Sequence, residues 1–293
     1  MFAAIEQIAD PRLTTVAVCD ALEVSRAAYY AWRSAAPSTH AARDAALAPL
    51  VRTIFWRHRR RYGARRIASE LGDLGQPCSP RRVAKLLKNQ GLRAQQPKSF
   101  KPRTTDSRHR LGYSPNLLLE APSPTRLDQL WVGDITYVPL VGGSFCYLAM
   151  LMDRVSRAIV GWRVAESMDD ELTRGVLQQA IARRQPRPGL IHHTDRGGQY
   201  ASTRYRGVLR RAGFRQSMSR AADCYDNAFM ESCFGTIKTE LEMTEYQDCR
   251  AARRELAEYV NYYLHDRKHA SLGYLTPSQA ERLLRAGKPL PHH

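Results

Sequence analysis

Nothing in these 293 residues approaches a run of about eighteen apolar side chains, so no membrane span is expected. The first ten residues carry two acids and no basic stretch, which argues against a secretory leader. Of the six cysteines, at 19, 78, 146, 224, 233 and 249, no two form a C-x-x-C pair and none has zinc spacing with histidine. Reduced thiols in a cytoplasmic protein are expected. No internal repeat, low-complexity tract or sustained heptad is present, which removes solenoids and coiled coils. Acids are also scarce: 28 Asp and Glu face 45 Lys and Arg, for a formal net charge of +17. The scarcity is local. Residues 52–110 hold seventeen basic side chains, Arg52 through Arg110, against three acids: Glu70, Asp73 and Asp106. One segment thus carries most of the excess, which suits a polyanion such as nucleic acid. An anionic membrane surface would call for an amphipathic helix with a large apolar face. The apolar residues here are committed to small helical cores instead.

What is present falls into two halves. Residues 14–33 predict two short helices, Thr14–Leu22 and a second capped by Ser25, as in a helix-turn-helix. Residues 34–42, with Pro37, predict a linker. A second helical unit follows in three parts: about Arg43–Arg59, Ala64–Leu74, and a helix opened by Ser79-Pro80 and stopped by Gly91. On that last helix Val83, Leu86 and Leu87 have core spacing, while Arg81, Arg82, Lys85 and Lys88 lie elsewhere around it. An apolar stripe opposite a basic face is what a groove-reading helix needs. Residues 95–127 hold five prolines with Lys98, Lys101, Arg103, Arg108 and Arg110, an extended basic linker able to track phosphates. The domain boundaries expected are 1–36, 42–94, a linker at 95–127, and 128–285.

From Leu130 the character turns to strands. Leu130–Pro139, Phe145–Met152 and Ala158–Val164 are strand-like at hairpin distances. A helix over Asp169–Arg184, a short strand Leu190–His193, a helix Ser202–Ala212, a strand near Phe214–Met218, and helices Asn227–Thr239 and Asp248–Tyr263 follow. That order predicts an α/β domain: a mixed five-stranded sheet with flanking helices on both faces.

Three acids sit where acids are awkward. Asp134 lies inside an apolar strand, Asp195 just past the end of another, and Glu231 in a helix rich in small and apolar residues. Singly, each has an ordinary explanation: a buried hydrogen-bonding acid, an Asx-turn, a surface helix acid. Together they suit phosphodiester chemistry, in which two Mg²⁺ ions about 4 Å apart, held by carboxylates, stabilise the attacking and leaving oxygens. Lys238, seven residues after Glu231, shares its helix face and is placed to touch a DNA phosphate.

These residues resemble the retroviral-integrase superfamily with its D-D-E triad and RNase H-like core. More narrowly, the chain is similar to the OrfB-type product of insertion sequences of the IS-three family. The resemblance runs through V-S-R-A-A-Y-Y-A-W at 24–32, R-Y-G-A-R-R-I at 61–67, R-V-A-K-L-L-K-N-Q-G-L at 82–92 and W-V-G-D-I-T-Y at 131–137. It continues through D-R-V-S-R at 153–157, H-T-D-R-G-G-Q-Y at 193–200, D-N-A-F-M-E-S-C-F-G-T-I-K-T-E at 226–240 and L-G-Y-L-T-P at 272–277. It implies a transposase with Asp134, Asp195 and Glu231 as catalytic and metal-holding residues, two Mg²⁺ ions, and Mn²⁺ able to substitute. It implies double-stranded DNA as partner, both element terminal inverted repeats and target, bound by the N-terminal region. The basic residues expected at the DNA are Arg65, Arg66, Arg81, Arg82, Lys85, Lys88 and Lys238. An upstream-frame OrfA-type protein or fusion and a homo-oligomer on DNA are further expectations. A regulator that binds ends without cutting, and an RNase H-fold nuclease, are the alternatives. One departure stands out: Leu264 occupies a place where the family often has asparagine, although Arg267 and His269 are kept.

Overall fold

The computed structural model describes residues 1–7, 13–34, 38–96, 112–220, 228–242 and 245–291. At the N-terminus α1 (Phe2–Glu6), α2 (Thr15–Ala21) and α3 (Arg26–Ser34) gather Ile5, Val18, Cys19 and Tyr29 into a small core. Thr14 caps α2 through the Ala17 amide at 3.2 Å, and Ser25 accepts from Ala28 at 3.4 Å.

The second helical unit comprises α4 (Thr39–Arg57), α5 (Ala64–Asp73) and α6 (Pro80–Asn89). The linker expected over 34–42 is cut short. The Ser38 side chain accepts from the Ala41 amide at 3.2 Å, and the alanine-rich stretch behind it carries the helix from Thr39. Ser79 and Pro80 open α6 as the sequence predicts, and Gly91 takes a φ of 65° beyond its end. Leu47, Val51, Ile54, Phe55, Tyr62, Ile67, Leu71, Val83, Leu86 and Leu87 form the core of this unit. Residues 97–111, and with them Lys98, Lys101, Arg103, Arg108 and Arg110, lie outside the described residues.

The sheet contains β1 (Leu130–Pro139), β2 (Phe145–Asp153), β3 (Ile159–Ala165), β4 (Ile191–Thr194) and β5 (Arg215–Met218), in the order β3-β2-β1-β4-β5. The first three strands are antiparallel, and β4 and β5 join β1 in parallel, the mixed sheet of an RNase H-like core. The remaining helices are α7 (Asp170–Arg184), α8 (Gly198–Ala201), α9 (Thr203–Arg211), α10 (Ala228–Glu240), α11 (Cys249–His265) and α12 (Pro277–Arg285). Central β1 is covered on both faces. Its even-numbered Leu130, Val132 and Val138 pack with α10 and α11, and its odd-numbered Trp131 and Ile135 with α7, α8 and α9. Among the described residues no helix is long and apolar enough to cross a membrane.

Helix α7 approaches β3 closely at Gly161. A Cβ there would stand 2.8 Å from the Val176 carbonyl oxygen and 3.2 Å from the Ala180 Cβ, with backbone on one side that cannot give way. Gly161→Ala is expected to cost about 1–3 kcal/mol by overpacking. Denaturant titration checks this, and an unchanged midpoint would show that the helix can retreat.

Candidate active site

Asp134 occupies the middle of β1 and shares the even-numbered face that packs against α10 and α11. It therefore places a carboxylate on a face otherwise made of Leu130, Val132, Thr136 and Val138. The parallel register of β1 with β4 pairs Val132 with His193. Two residues further along both chains come Asp134 and Asp195, so alternation sends both toward the same face. Asp195 lies just beyond β4, where its Oδ1 accepts from the Gly197 amide at 3.0 Å. This is the Asx-turn that the sequence admits, and it fixes the carboxyl at the strand end. On α10, Met230, Cys233, Phe234 and Ile237 are buried against the sheet, while Glu231 and Lys238 lie two turns apart along one side.

Electrostatics tie these groups together. Burial holds the Asp134 carboxyl well above the usual carboxylate range, the nearby Asp195 raises it further, and Glu231 adds to the effect. The Ile135 amide, donating to Asp134 Oδ1 at 2.8 Å, and Lys238 work in the opposite direction. Lys238 is in turn lowered by burial and sustained by Asp134. One contributor was not singled out in the sequence. Tyr200 is buried behind the carboxylates, and its phenol is pushed well above its ordinary value by burial, then by Asp134, Tyr205 and Asp195. Its signal was the Q-Y that ends the H-T-D-R-G-G-Q-Y stretch. His192 and His193 are fully buried and spent inside the fold, on the Tyr205 hydroxyl at 2.6 Å and the Ser217 hydroxyl at 2.8 Å.

The donor set is all oxygen, and the charged form of Asp134 is disfavoured by burial and by like charge. A divalent cation relieves both, so Asp134, Asp195 and Glu231 suit Mg²⁺. They are not drawn tight: among the described residues no three His, Cys, Asp or Glu side chains stand as a group able to hold a metal ion. Asp134 and Asp195 are half-buried, and Glu231 is exposed at the start of α10.

The basic residues divide by surroundings. Arg81, Lys85 and Lys88 are exposed on α6, and Arg65 is exposed on α5. Arg82 is half-buried, giving its Nε to Asp44 at 2.5 Å and its guanidinium to the His40 carbonyl at 2.8 Å. Arg66 turns away from solvent. It lies over the Tyr62 ring, donates to the Arg61 carbonyl at 3.3 Å and reaches Glu240 Oε1 at 3.4 Å.

Glu240, the last residue of α10, is the centre of a seam between the second helical unit and the sheet domain. Arg267 donates to both of its carboxylate oxygens at 2.8–3.0 Å, and the Tyr259 hydroxyl donates at 3.0 Å. From the helical unit, Arg61 donates to the Glu240 carbonyl at 3.0 Å and lies over the rings of Tyr259 and Tyr262. Tyr62 donates to the Asp266 carbonyl at 2.9 Å and accepts from the Lys268 amide at 2.7 Å. Lys268 itself reaches back to Ser69 and Asp73 on α5. The aromatic residues at the end of α11 are thus engaged within the chain. Tyr259, Val260 and Tyr263 are buried in the core, and Tyr262 packs on the helical unit. Leu264, the departure from the family pattern, also packs against the apolar core.

A basic helical unit seated on a mixed sheet, with Asp134 and Asp195 on one face of that sheet, fits an integrase-core protein with a helix-turn-helix-like unit, a DNA-cutting and joining enzyme. Residues 124–224 and 212–277 match integrase core domain families, and residues 42–100 match an HTH-like domain. The transposase InsF of insertion sequence IS3A from Escherichia coli (strain K12) is 38% identical over 271 residues, 90% of this chain and 93% of its own. The transposase of IS904 from Lactococcus lactis subsp. lactis (strain IL1403) is 38% identical over 248 residues, 84% of this chain and 97% of its own. An uncharacterized 31 kDa protein of IS600 from Shigella sonnei is 38% identical over 263 residues, 89% of this chain and 96% of its own. The chain belongs to the IS3 family of insertion-sequence transposases. Among solved structures, the simian T-cell lymphotropic virus intasome in complex with PP2A regulatory subunit B56 gamma overlays with a TM-score of 0.47 at 15% identity, covering 77% of this chain and 74% of that one. The HTLV-2 integrase catalytic core domain in complex with magnesium gives 0.41 at 18% identity, covering 53% of this chain and 97% of that one.

Proposed function

We propose that this protein binds the terminal inverted repeats of its element and catalyses DNA cleavage and strand transfer at Asp134, Asp195 and Glu231. The observation that carries this reading is the shared face of Asp134 and Asp195, reached electrostatically by Glu231 and Lys238. The chemistry supplied by a pair of Mg²⁺ ions there, or Mn²⁺ in their place, is charge stabilisation of the attacking and leaving oxygens of a phosphodiester. Asp134, immobilised in the sheet, and Asp195, fixed by its turn, form the rigid part of the ligand set. Glu231, exposed at the helix start, would supply the third carboxylate. Lys238, two turns along the same helix, would reach a DNA phosphate, and the buried Tyr200 would close the back of the site against water. No protein nucleophile is required. Incubating the protein with labelled element ends and Mg²⁺ tests the proposal. Joined products support it, nicked products alone would indicate a nuclease, and bound but uncut ends would indicate a regulator.

Recognition of the ends is assigned to the unit at 42–94, with the exposed Arg81, Lys85 and Lys88 of α6 and Arg65 of α5 toward the backbone. Replacing Arg81, Lys85 and Lys88 together by alanine is expected to reduce the log–log salt slope of binding by about three units, one condensed counterion per lost contact. Arg82→Ala acts differently, because it removes the anchor to Asp44. An unchanged slope in the triple variant would show α6 to be an ordinary solvated face. Joining two ends calls for a protein oligomer on DNA, with an OrfA-type partner or fusion supplying the heptads absent here; light scattering with paired end DNA checks the assembly.

A further inference from the structure

The D-R-V-S-R turn after β2 has no part in the chemistry above. Asp153 shapes it from inside. Its Oδ1 accepts from the Val155 and Ser156 amides and the Ser156 hydroxyl, and its Oδ2 from the Asp128 amide. That carboxylate is committed to the backbone, and Arg157 follows with a φ of 59°. The turn delivers two cations to one ring. The guanidinium carbon of Arg154 lies 3.3 Å, and that of Arg157 4.3 Å, from the centroid of Phe229 on α10, two residues before Glu231.

Both guanidinium groups are half-buried, and among the described residues neither has an ion pair or a side-chain hydrogen bond. Arginines in comparable surroundings do better: Arg184 holds Asp128 and Glu281, and Arg267 holds Glu240. The ring satisfies the faces of the two planes and leaves their N–H edges without a side-chain acceptor among the described residues. Two like charges, partly withdrawn from water and sharing one ring, repel each other. Burial, with the charge of Arg157, brings Arg154 down to about 10. An anion placed between the edges removes the repulsion and fills the donor forks at once.

The surroundings select the anion. Arg154 and Phe229 belong to a cleft of about 1340 Å³ at the end of the sheet from which β1 and β4 start. Exposed Arg126, Arg187 and Arg215 line the same cleft, while one of its acids, Asp128, is tied to Arg184. A row of cations of this kind fits a polymer of phosphates better than a single small anion.

We propose that Arg154 and Arg157, stacked on Phe229, form a sequence-independent binding site for a backbone phosphate of duplex DNA, separate from the carboxylate site and from α6. The proposal rests on the reading of the chain as a transposase. It adds a third place at which duplex is held, at the root of the helix that carries Glu231.

Arginine-directed labelling of the wild-type protein with phenylglyoxal, with and without a duplex of unrelated sequence, tests the site without a mutation. Arg154 and Arg157 are expected to be protected in the complex, as read by mass spectrometry. Equal labelling with and without duplex overturns the proposal. In parallel, Arg154→Ala/Arg157→Ala is expected to lower the salt slope of unspecific binding by about two units, with Arg154→Lys/Arg157→Lys keeping that slope. A folded double-alanine variant with an unchanged slope also overturns it. If wild-type protein joins element ends while these arginines stay unprotected, only this proposal falls. If it neither binds nor joins DNA, the transposase reading falls with it.

Discussion

Asp195→Asn is expected to remove cleavage and joining by roughly a thousandfold or more, the loss that follows when several kcal/mol of charge stabilisation disappears. The substitution is chosen for what it keeps. Asparagine Oδ1 still accepts from the Gly197 amide, so the turn after β4 is preserved and only the charge goes. End binding, measured by gel shift, should be unaltered, since the change lies outside the helical unit at 42–94. Asp134→Asn should be as inactive, and it removes a charge that burial and two neighbouring carboxylates oppose. Without metal this variant is expected to melt no lower than wild type. Added Mg²⁺ should raise the melting temperature of wild type by mass action and leave both variants nearly unmoved. Near wild-type joining by Asp195→Asn in Mg²⁺ would exclude that carboxylate from the chemistry.

The second large effect is expected at Glu240. Its side chain and that of Arg267 are 6% and 5% exposed, so water does little to screen the pair. Glu240→Ala strands Arg267 in the interior and leaves Arg66, already lowered by burial and by Arg267, facing it without the acid between them. Breaking a buried pair from one side costs about 3–5 kcal/mol. The expected results are a large fall in the denaturant midpoint and easier proteolytic separation of the helical unit from the sheet domain. Glu240→Gln, which retains acceptors for the Arg267 fork, should lose less. A loss under about 1 kcal/mol for the alanine variant would mean that the seam behaves like a surface ion pair.

Local signals in the sequence carried far. β1 appears at its expected bounds because its run of apolar and β-forming residues is long, with Asp134 as its single charge. Caps at Thr14, Ser25, Ser79, Asp169, Ser202 and Asp248 lie where a polar side chain precedes a helical pattern. The same logic was available at Thr276-Pro277, where a capping box with Gln279 opens α12, a helix not anticipated. What stayed hidden is long-range. The meeting of Asp134 with Asp195 depends on a parallel register across sixty intervening residues, which spacing alone does not determine. The inward turn of Arg66 was invisible for the same reason. A basic residue in a basic segment looks like a phosphate contact until the fold brings Glu240 beside it from 174 positions away.

That seam also limits how such a chain can be recombined with its relatives. In sequence the two halves are divided near residues 97–111, a natural point for exchanging helical units between relatives. Yet Arg61, Tyr62 and Arg66 on one side are fitted to Glu240, Tyr262, Asp266 and Lys268 on the other. Three of these contacts end on backbone groups, the Glu240 and Asp266 carbonyls and the Lys268 amide, which a relative supplies whatever its side chains. The side-chain half of the seam, Arg66 with Glu240 and Lys268 with Ser69 and Asp73, needs both partners, so a chimera is expected to weaken where the donor replaces one of them. In this architecture the compatibility of the two halves is set by a few side chains at one seam, although the halves occupy separate stretches of sequence.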